Sequence, residues 1–323
     1  MLSSDKRIVV IAGTAHPEFA EKVCKELGVT LTKVHHFNFA DGEVGFCIDE
    51  SVRGDDVFVI QPTCKPVNNN LMQLLVMTDA IRRASAERIN LVVPYFGYAR
   101  QDRKAKGREP VTAKLVANMI EKAGADRVIS ADLHAGQIQG FFDIVVDHLL
   151  GVPLLAEWFK ENLIGDQDPS KFVVVSPDAG GVVRARKLST RLKTDISIVD
   201  KRRRHDMANV CEVMEIIGTD VRGKTCIIID DMIDTAGTIV NAAKALRGLG
   251  ADKVYCTATH GLFNGPAIDR LSDEAVTKVV VTDTVPLPSE RKLDKIIQVS
   301  MAPLFAEVIK RVHTDTSISC LFD

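Results

Sequence analysis

The chain has 323 residues, long enough for two domains of ordinary size, and 46% of them are hydrophobic, ample for packed cores. Its 41 basic and 43 acidic side chains nearly cancel to a formal charge of −2, which argues against general affinity for nucleic acid or a membrane; any anion site must be local. Seven dispersed cysteines, an odd number without a C-x-x-C pair, argue against a disulfide framework and a zinc site. The apolar stretch near the start is too short for a signal segment and no run suits a membrane span, so a cytoplasmic location is expected.

Short apolar runs alternate with amphipathic segments, which predicts an α/β protein whose mainly parallel sheets are flanked by helices. The order begins with a strand at Arg7–Ala12, a helix at Pro17–Leu27 closed by Gly28, a strand at Val57–Ile60, a helix at Asn70–Ala84 and a strand at Ile89–Val93. A helix opened by Pro110 and stopped by Gly124 follows, then a strand at Arg127–Ser130. After Gly151 and Pro153 the alternation restarts with helix Leu154–Leu163, strand Phe172–Val175, helix Gly181–Leu192 and strand Ile196–Val199. A boundary near 150 therefore divides the chain into domains 1–150 and 151–323, with a last helix around Pro303–Val312 that packs on the second domain or returns to the first.

The halves echo one another. SAERINLVVPYFGY (85–98) matches GADKVYCTATHGLF (250–263), each preceded by a helix and by an earlier apolar strand, DDVFVIQ (55–61) and KTCIIID (224–230). The first of those strands ends in Gln61 and carries no acids, whereas the second runs into TCIIIDDMIDTAGT (225–238). Isoleucines 227–229 read as a buried parallel strand whose carboxy end delivers Asp230 and Asp231 into a crevice. Two adjacent carboxylates accept hydrogen bonds from a vicinal diol or face a divalent cation, and the turn at Gly237 offers backbone N–H groups and a positive helix end to a phosphate. The combination asks for a sugar phosphate in the second half alone, with a further ligand between the halves.

Five other segments carry candidate chemistry. ADLH places Asp132 and His134 just after a strand, where His134 either ligates a metal, meets a phosphate or is simply satisfied by the core. SPDAGG (176–181) puts Asp178 before a glycine turn that opens a helix, fit for magnesium or diphosphate, or a plain turn. The run Lys201 to His205 places five potentially cationic side chains after a strand, suited to phosphoryl oxygens on a mobile loop or merely solvated; Arg100 to Lys104 is weighed the same way. No G-x-x-x-x-G-K-[ST] motif occurs, so a nucleoside triphosphate must be held without a P-loop. Phe39, with Asp41 and Glu43, suits an adenine or a core position.

Taken together, DDMIDTAGT (230–238), DLHAGQIQGFFDIVVD (132–147), FADGE (39–43), ARQD (99–102), SPDAGG (176–181) and DKRRR (200–204) resemble ribose-phosphate diphosphokinase of class I over nearly the whole chain. The resemblance implies two phosphoribosyltransferase-like domains and transfer of the β,γ-diphosphoryl group of ATP to the anomeric hydroxyl of ribose 5-phosphate, with Mg2+ and with AMP as the second product. It assigns Lys201 and Arg203 as catalytic cations on a flexible loop and places His134 and Asp178 at magnesium. Ribose 5-phosphate falls to Asp230, Asp231, Asp234, Thr235, Ala236, Gly237 and Thr238; ATP falls to Phe39, Asp41, Glu43, Arg100, Gln101 and Asp102. The family also implies a homo-hexamer built from dimers, activated by phosphate and inhibited by ADP, with Ser51, Arg53, Ser317 and Ser319 at the regulatory site. Ala236 stands where related transferases carry glycine, so its methyl leaves less room beside the phosphate. The competing expectations are a phosphoribosyltransferase that consumes the diphosphate with a nucleobase, and a non-catalytic regulatory subunit of the same family.

Overall fold

The computed structural model describes residues 6–203, 212–291 and 293–321, without the side chains of 201–203, 212–214 and 289. Two compact units form within them: residues up to 150 with 284–286 and the segment from 300 onward, and residues 151–283 with 287–299. Among the described residues six cysteines form no disulfide, and no helix is long and apolar enough to cross a membrane.

In the first unit the chain runs β1 (Ile8–Ala12), α1 (Pro17–Leu27), β2 (Val34–Asn38), β3 (Val44–Ile48), β4 (Asp56–Ile60), α2 (Val67–Arg83), β5 (Arg88–Val93), α3 (Thr112–Ala123), β6 (Arg127–Ala131) and β7 (Val145–Leu149). Five strands make a parallel sheet in the order β1-β4-β5-β6-β7, while β2 and β3 form a separate antiparallel hairpin. Every residue of β4 is buried, as a central parallel strand covered on both faces requires. Pro17 stands in the first turn of α1, and Gly28 closes it at φ 70°, its N–H reaching the carbonyls of Cys24 and Lys25.

The second unit contains α4 (Val152–Phe159), β8 (Phe172–Ser176), α5 (Val182–Leu192), β9 (Asp195–Arg203), β10 (Glu212–Gly218), β11 (Thr225–Ile233), α6 (Gly237–Gly248), β12 (Lys253–Gly261), α7 (Ala267–Leu271), β13 (Lys278–Thr282) and β14 (Ile296–Val299). Its seven strands are ordered β10-β9-β8-β11-β12-β13-β14 and are parallel except for the β10–β9 pair. The last helix, α8 (Ala302–His313), belongs to the first unit, where Phe305 meets Phe19 of α1 edge to face at 5.5 Å.

Register at the centre of the second sheet creates the opening that matters. The pairing of β11 with β8 stops at Ile228–Val175, whereas its pairing with β12 continues to Ile233–Gly261. The carboxy end of β11 thus runs past β8, and Asp230 and Asp231 stand on the overhang. One expectation changes here. The cationic run was placed on a loop after a short strand, but the backbone from Asp200 to Arg203 continues β9, with Lys201 paired to Met214 and Arg203 to Glu212. The antiparallel partner β10 supplies the ladder that extends the strand. The side chains of Lys201 and Arg203 lie outside the described part of the structure, as do residues 204–211.

Candidate active site

The diacid is built by β11. Asp231 is almost fully buried, and Asp230 keeps about a quarter of its side chain exposed, 26%. The Asp230 Oδ1 accepts the backbone N–H of Asp231 at 2.8 Å and lies 3.4 Å from Nη1 of Arg184, which α5 contributes. Burial first, and then the negative charge of Asp231, push the Asp230 carboxyl up to about 7; Arg184 opposes the shift. Such a pair is under electrostatic tension that a diol hydroxyl or a cation relieves, by donating to the carboxylates or by neutralising them.

The candidate phosphate turn follows directly. Ala236 occupies the left-handed region at φ 60°, buried against the second unit's core, and sends the chain into α6. No side chain caps α6, so its first N–H groups face outward with the positive end of the helix behind them. The methyl of Ala236 therefore packs inward, and the close backbone approach is left to Gly237. A Cβ at Gly237 would come within 3.0 Å of Nη1 of Arg270, the same atom that donates to the Thr235 carbonyl at 2.9 Å. Asn264 braces the turn from the end of β12, its backbone N–H donating to the Asp234 carbonyl at 2.9 Å and its Nδ2 to Asp234 Oδ1 at 2.8 Å.

Beside this turn, the loop after β8 is shaped by Asp178. Its Oδ1 accepts the Gly181 N–H at 3.0 Å, and its carbonyl accepts the Ser176 hydroxyl at 2.6 Å. A Cβ at Gly181 would press on Ser176 Oγ at 2.8 Å, so the glycine there permits the tight turn into α5. The second unit thus brings together Asp230, Asp231, Asp234, Thr235, Ala236, Gly237, Thr238 and Asp178 at the carboxy ends of adjacent strands.

Apart from Lys201 and Arg203 on β9, the remaining candidates lie in the first unit. His134 is exposed on the loop after β6, next to a buried Asp132 held at φ 31°. That loop is fixed by His148, whose Nε2 accepts the Leu133 N–H at 2.9 Å. Phe39, Asp41 and Glu43 form the tip of the β2–β3 hairpin: Phe39 donates its N–H to the Glu43 carbonyl at 2.8 Å and is 55% exposed, so it is not a core residue. Arg100, Gln101 and Asp102 follow Tyr98, whose carbonyl accepts the Gln101 N–H at 2.9 Å; the Gln101 Oε1 accepts the Thr112 hydroxyl at 2.5 Å. Ser51 and Arg53 share the turn between β3 and β4, joined by a hydrogen bond from the Arg53 N–H to Ser51 Oγ at 3.4 Å. Ser317 and Ser319 lie after α8, where Arg311 holds the Ser317 carbonyl at 2.7 Å.

Reading the sequence missed Arg184, Asn264 and Arg270. Arg184 sits only six residues past Asp178, and a cation in the first turn after a diphosphate-like loop was a usable signal. Asn264 and Arg270 follow the turn by about thirty residues and meet it only because β11 and β12 are neighbours.

Comparison with known proteins identifies the family. The model for the N-terminal domain of ribose phosphate pyrophosphokinase matches residues 8–124, and that for the phosphoribosyl synthetase-associated domain matches residues 206–323. The chain is 58% identical to ribose-phosphate pyrophosphokinase 1 of Lactococcus lactis over 96% of this chain and 94% of the relative. It is 54% identical to the ribose-phosphate pyrophosphokinase of Clostridium perfringens over 100% of this chain and 99% of that one. The crystal structure of phosphoribosylpyrophosphate synthetase from Mycobacterium smegmatis matches with a TM-score of 0.87 at 43% identity, covering 96% of this chain and 100% of the other. With similarity running from end to end, the chain belongs to the ribose-phosphate pyrophosphokinase family of diphosphotransferases.

Proposed function

We propose that this enzyme transfers the β,γ-diphosphoryl group of ATP to the C1 hydroxyl of ribose 5-phosphate, releasing AMP and supplying 5-phosphoribosyl 1-diphosphate for nucleotide synthesis. The observation that carries the reading is the uncapped start of α6 beside the partly exposed Asp230 and the buried Asp231, a seat for a phosphate and a diol on one sugar. In the transfer, the C1 oxygen forms a bond to the β-phosphorus while the bond from that phosphorus to the α,β-bridging oxygen breaks. AMP leaves with the electron pair, and the hydroxyl proton passes to solvent.

The protein's work is positioning and charge neutralisation. Backbone N–H groups from Asp234 to Thr238 hold the 5-phosphate, and Asp230 and Asp231 accept the ribose hydroxyls, fixing the C1 oxygen for in-line attack. Lys201 and Arg203 stabilise the transferring oxygens. Phe39, Asp41 and Glu43 with Arg100, Gln101 and Asp102 form the ATP side. His134 and Asp178 serve magnesium, which when bound neutralises diphosphate charge. Among the described residues no cluster of three or more metal-ligating side chains is gathered. Assembly as a hexamer, phosphate activation through Ser51, Arg53, Ser317 and Ser319, and a cytoplasmic location belong to the same proposal.

The test is direct. Purified chain given ATP, ribose 5-phosphate and Mg2+, with phosphate supplied, is expected to form AMP and phosphoribosyl diphosphate one for one. Lys201→Ala should lower that turnover by roughly two to three orders of magnitude, the scale of losing one transition-state donor. Pyrophosphate release that depends on a nucleobase would establish the transferase reading instead, and absence of AMP from the purified chain would favour a subunit that requires partners.

A further inference from the structure

An acidic residue close to the start of a phosphate-binding helix is a hazard. Asp234 stands two residues before Ala236, and a free aspartate carboxylate there would compete for the N–H groups of α6 that a phosphate needs, since aspartate is among the best caps of helix starts. The helix is nevertheless uncapped, and the Asp234 carboxylate is held by the Asn264 amide at 2.8 Å while the Asp234 carbonyl takes the Asn264 N–H at 2.9 Å. The bond determines how the amide is turned: Nδ2 must face the carboxylate, because the opposite orientation would set two acceptors against each other. Its Oδ1 is left buried without a partner, so the side chain accepts an unmet acceptor in order to present its donor.

We infer that Asn264 is a positioning residue for ribose 5-phosphate, clamping Asp234 in backbone and side chain so that its carboxylate cannot cap α6 and the helix start stays open to the sugar's phosphate. Arg270 supports the same turn through the Thr235 carbonyl. The inference rests on ribose 5-phosphate being the acceptor, as proposed above, and concerns sugar binding and not the transfer itself.

The experiment is a double-mutant cycle in steady-state kinetics on the full-length enzyme. Asn264→Ala should raise KM for ribose 5-phosphate about tenfold, the weight of one hydrogen bond to a charged group, while kcat and KM for ATP stay within about twofold. In an Asp234→Ala background, where no side chain is left to cap α6 and none needs restraint, adding Asn264→Ala should change KM less than about twofold. An unchanged KM in the single variant, or an equal rise in both backgrounds, overturns the inference. If Asn264→Ala does not fold, Asn264→Ser is taken through the same cycle. Failure of the underlying reading looks different, because the parent enzyme would then show no saturable dependence on ribose 5-phosphate.

Discussion

Around β4 and β5 in one unit and β11 and β12 in the other, the same turn hydrogen bonds and left-handed positions recur. Gly54 donates to the Ser85 carbonyl at 2.9 Å as Gly223 does to that of Gly250 at 2.8 Å, and Glu87 donates to Asp55 at 3.0 Å as Asp252 does to Lys224 at 2.9 Å. The left-handed turns recur at Gly54 and Gly223, at Ser85 and Gly250, and at Tyr98 and Phe263. Divergence begins where β4 and β11 end. In the first unit Gln61, fully buried, accepts the Ala15 N–H at 3.0 Å and donates to Gln73 at 2.7 Å, while Gln73 accepts from both the backbone and the hydroxyl of Thr14. A neutral amide network therefore consumes the donors that a ligand would need. The second unit places two carboxylates at the matching position and leaves its helix start uncapped. A shared frame thus acquires its candidate sugar site from a few residues at one strand end, not from the fold.

That contrast can be broken most sharply at the diacid. Asp231→Ala should lower turnover about a hundredfold or more, the scale of losing a preorganised polar contact. Retained turnover would show that the overhang of β11 is structural. Gln61→Glu is the mirror experiment: a charge among buried amides should cost about 3 kcal/mol, read as a lower urea midpoint, and should create no second sugar site. An unshifted midpoint would mean that Gln61 is not held in the buried amide network described.

A pH series sharpens the comparison further. The folded protein holds a proton on Asp230 up to about 7, against 3.8 for an ordinary aspartate. Between those values the folded state binds more protons than the unfolded chain, so this residue's contribution to stability falls as pH rises and levels off above about 7. Asp230→Asn escapes the loss, and its Tm advantage over the parent should grow by roughly 2 °C or more from pH 5 to pH 8. A pH-independent difference would refute the raised value. The smallest effect is expected at the repeated turn, where Ser85→Gly should gain and Gly250→Ala should lose about 1 kcal/mol in thermal melts. Equal signs would show that the two turns are not equivalent.

How far the sequence discloses all this depends on whether the determinants are local. Isoleucines 227–229, the diacid and the Gly237 turn are contiguous, so strand, site and helix could be read together. The β2–β3 hairpin could not: VHHFN has no alternating apolar face and is mostly exposed, which left FADGE legible as a motif but not as a hairpin tip. The extension of β9 through Arg203 depends on pairing with β10, and the bracing of Asp234 by Asn264 depends on sheet order. Neither relation is written in any local pattern.

The return of α8 to the first unit has a consequence for biosynthesis. Besides Phe305 against Phe19, the helix end places His313 Nδ1 2.7 Å from the fully buried Asp56, and Arg88 bonds both that carboxylate and, at 3.1 Å, the His313 carbonyl. Burial alone would raise the Asp56 carboxyl, but the hydrogen bonds from Arg88 and His313 hold it below its usual range, ionised and in need of both partners. On the ribosome, then, the first sheet emerges with α1 uncovered and Asp56 lacking one partner while some 150 further residues are made, roughly 10–30 s at ordinary elongation rates. The earliest part of the protein to be synthesised is among the last to be sealed, and the intervening half must be threaded out before the first can close.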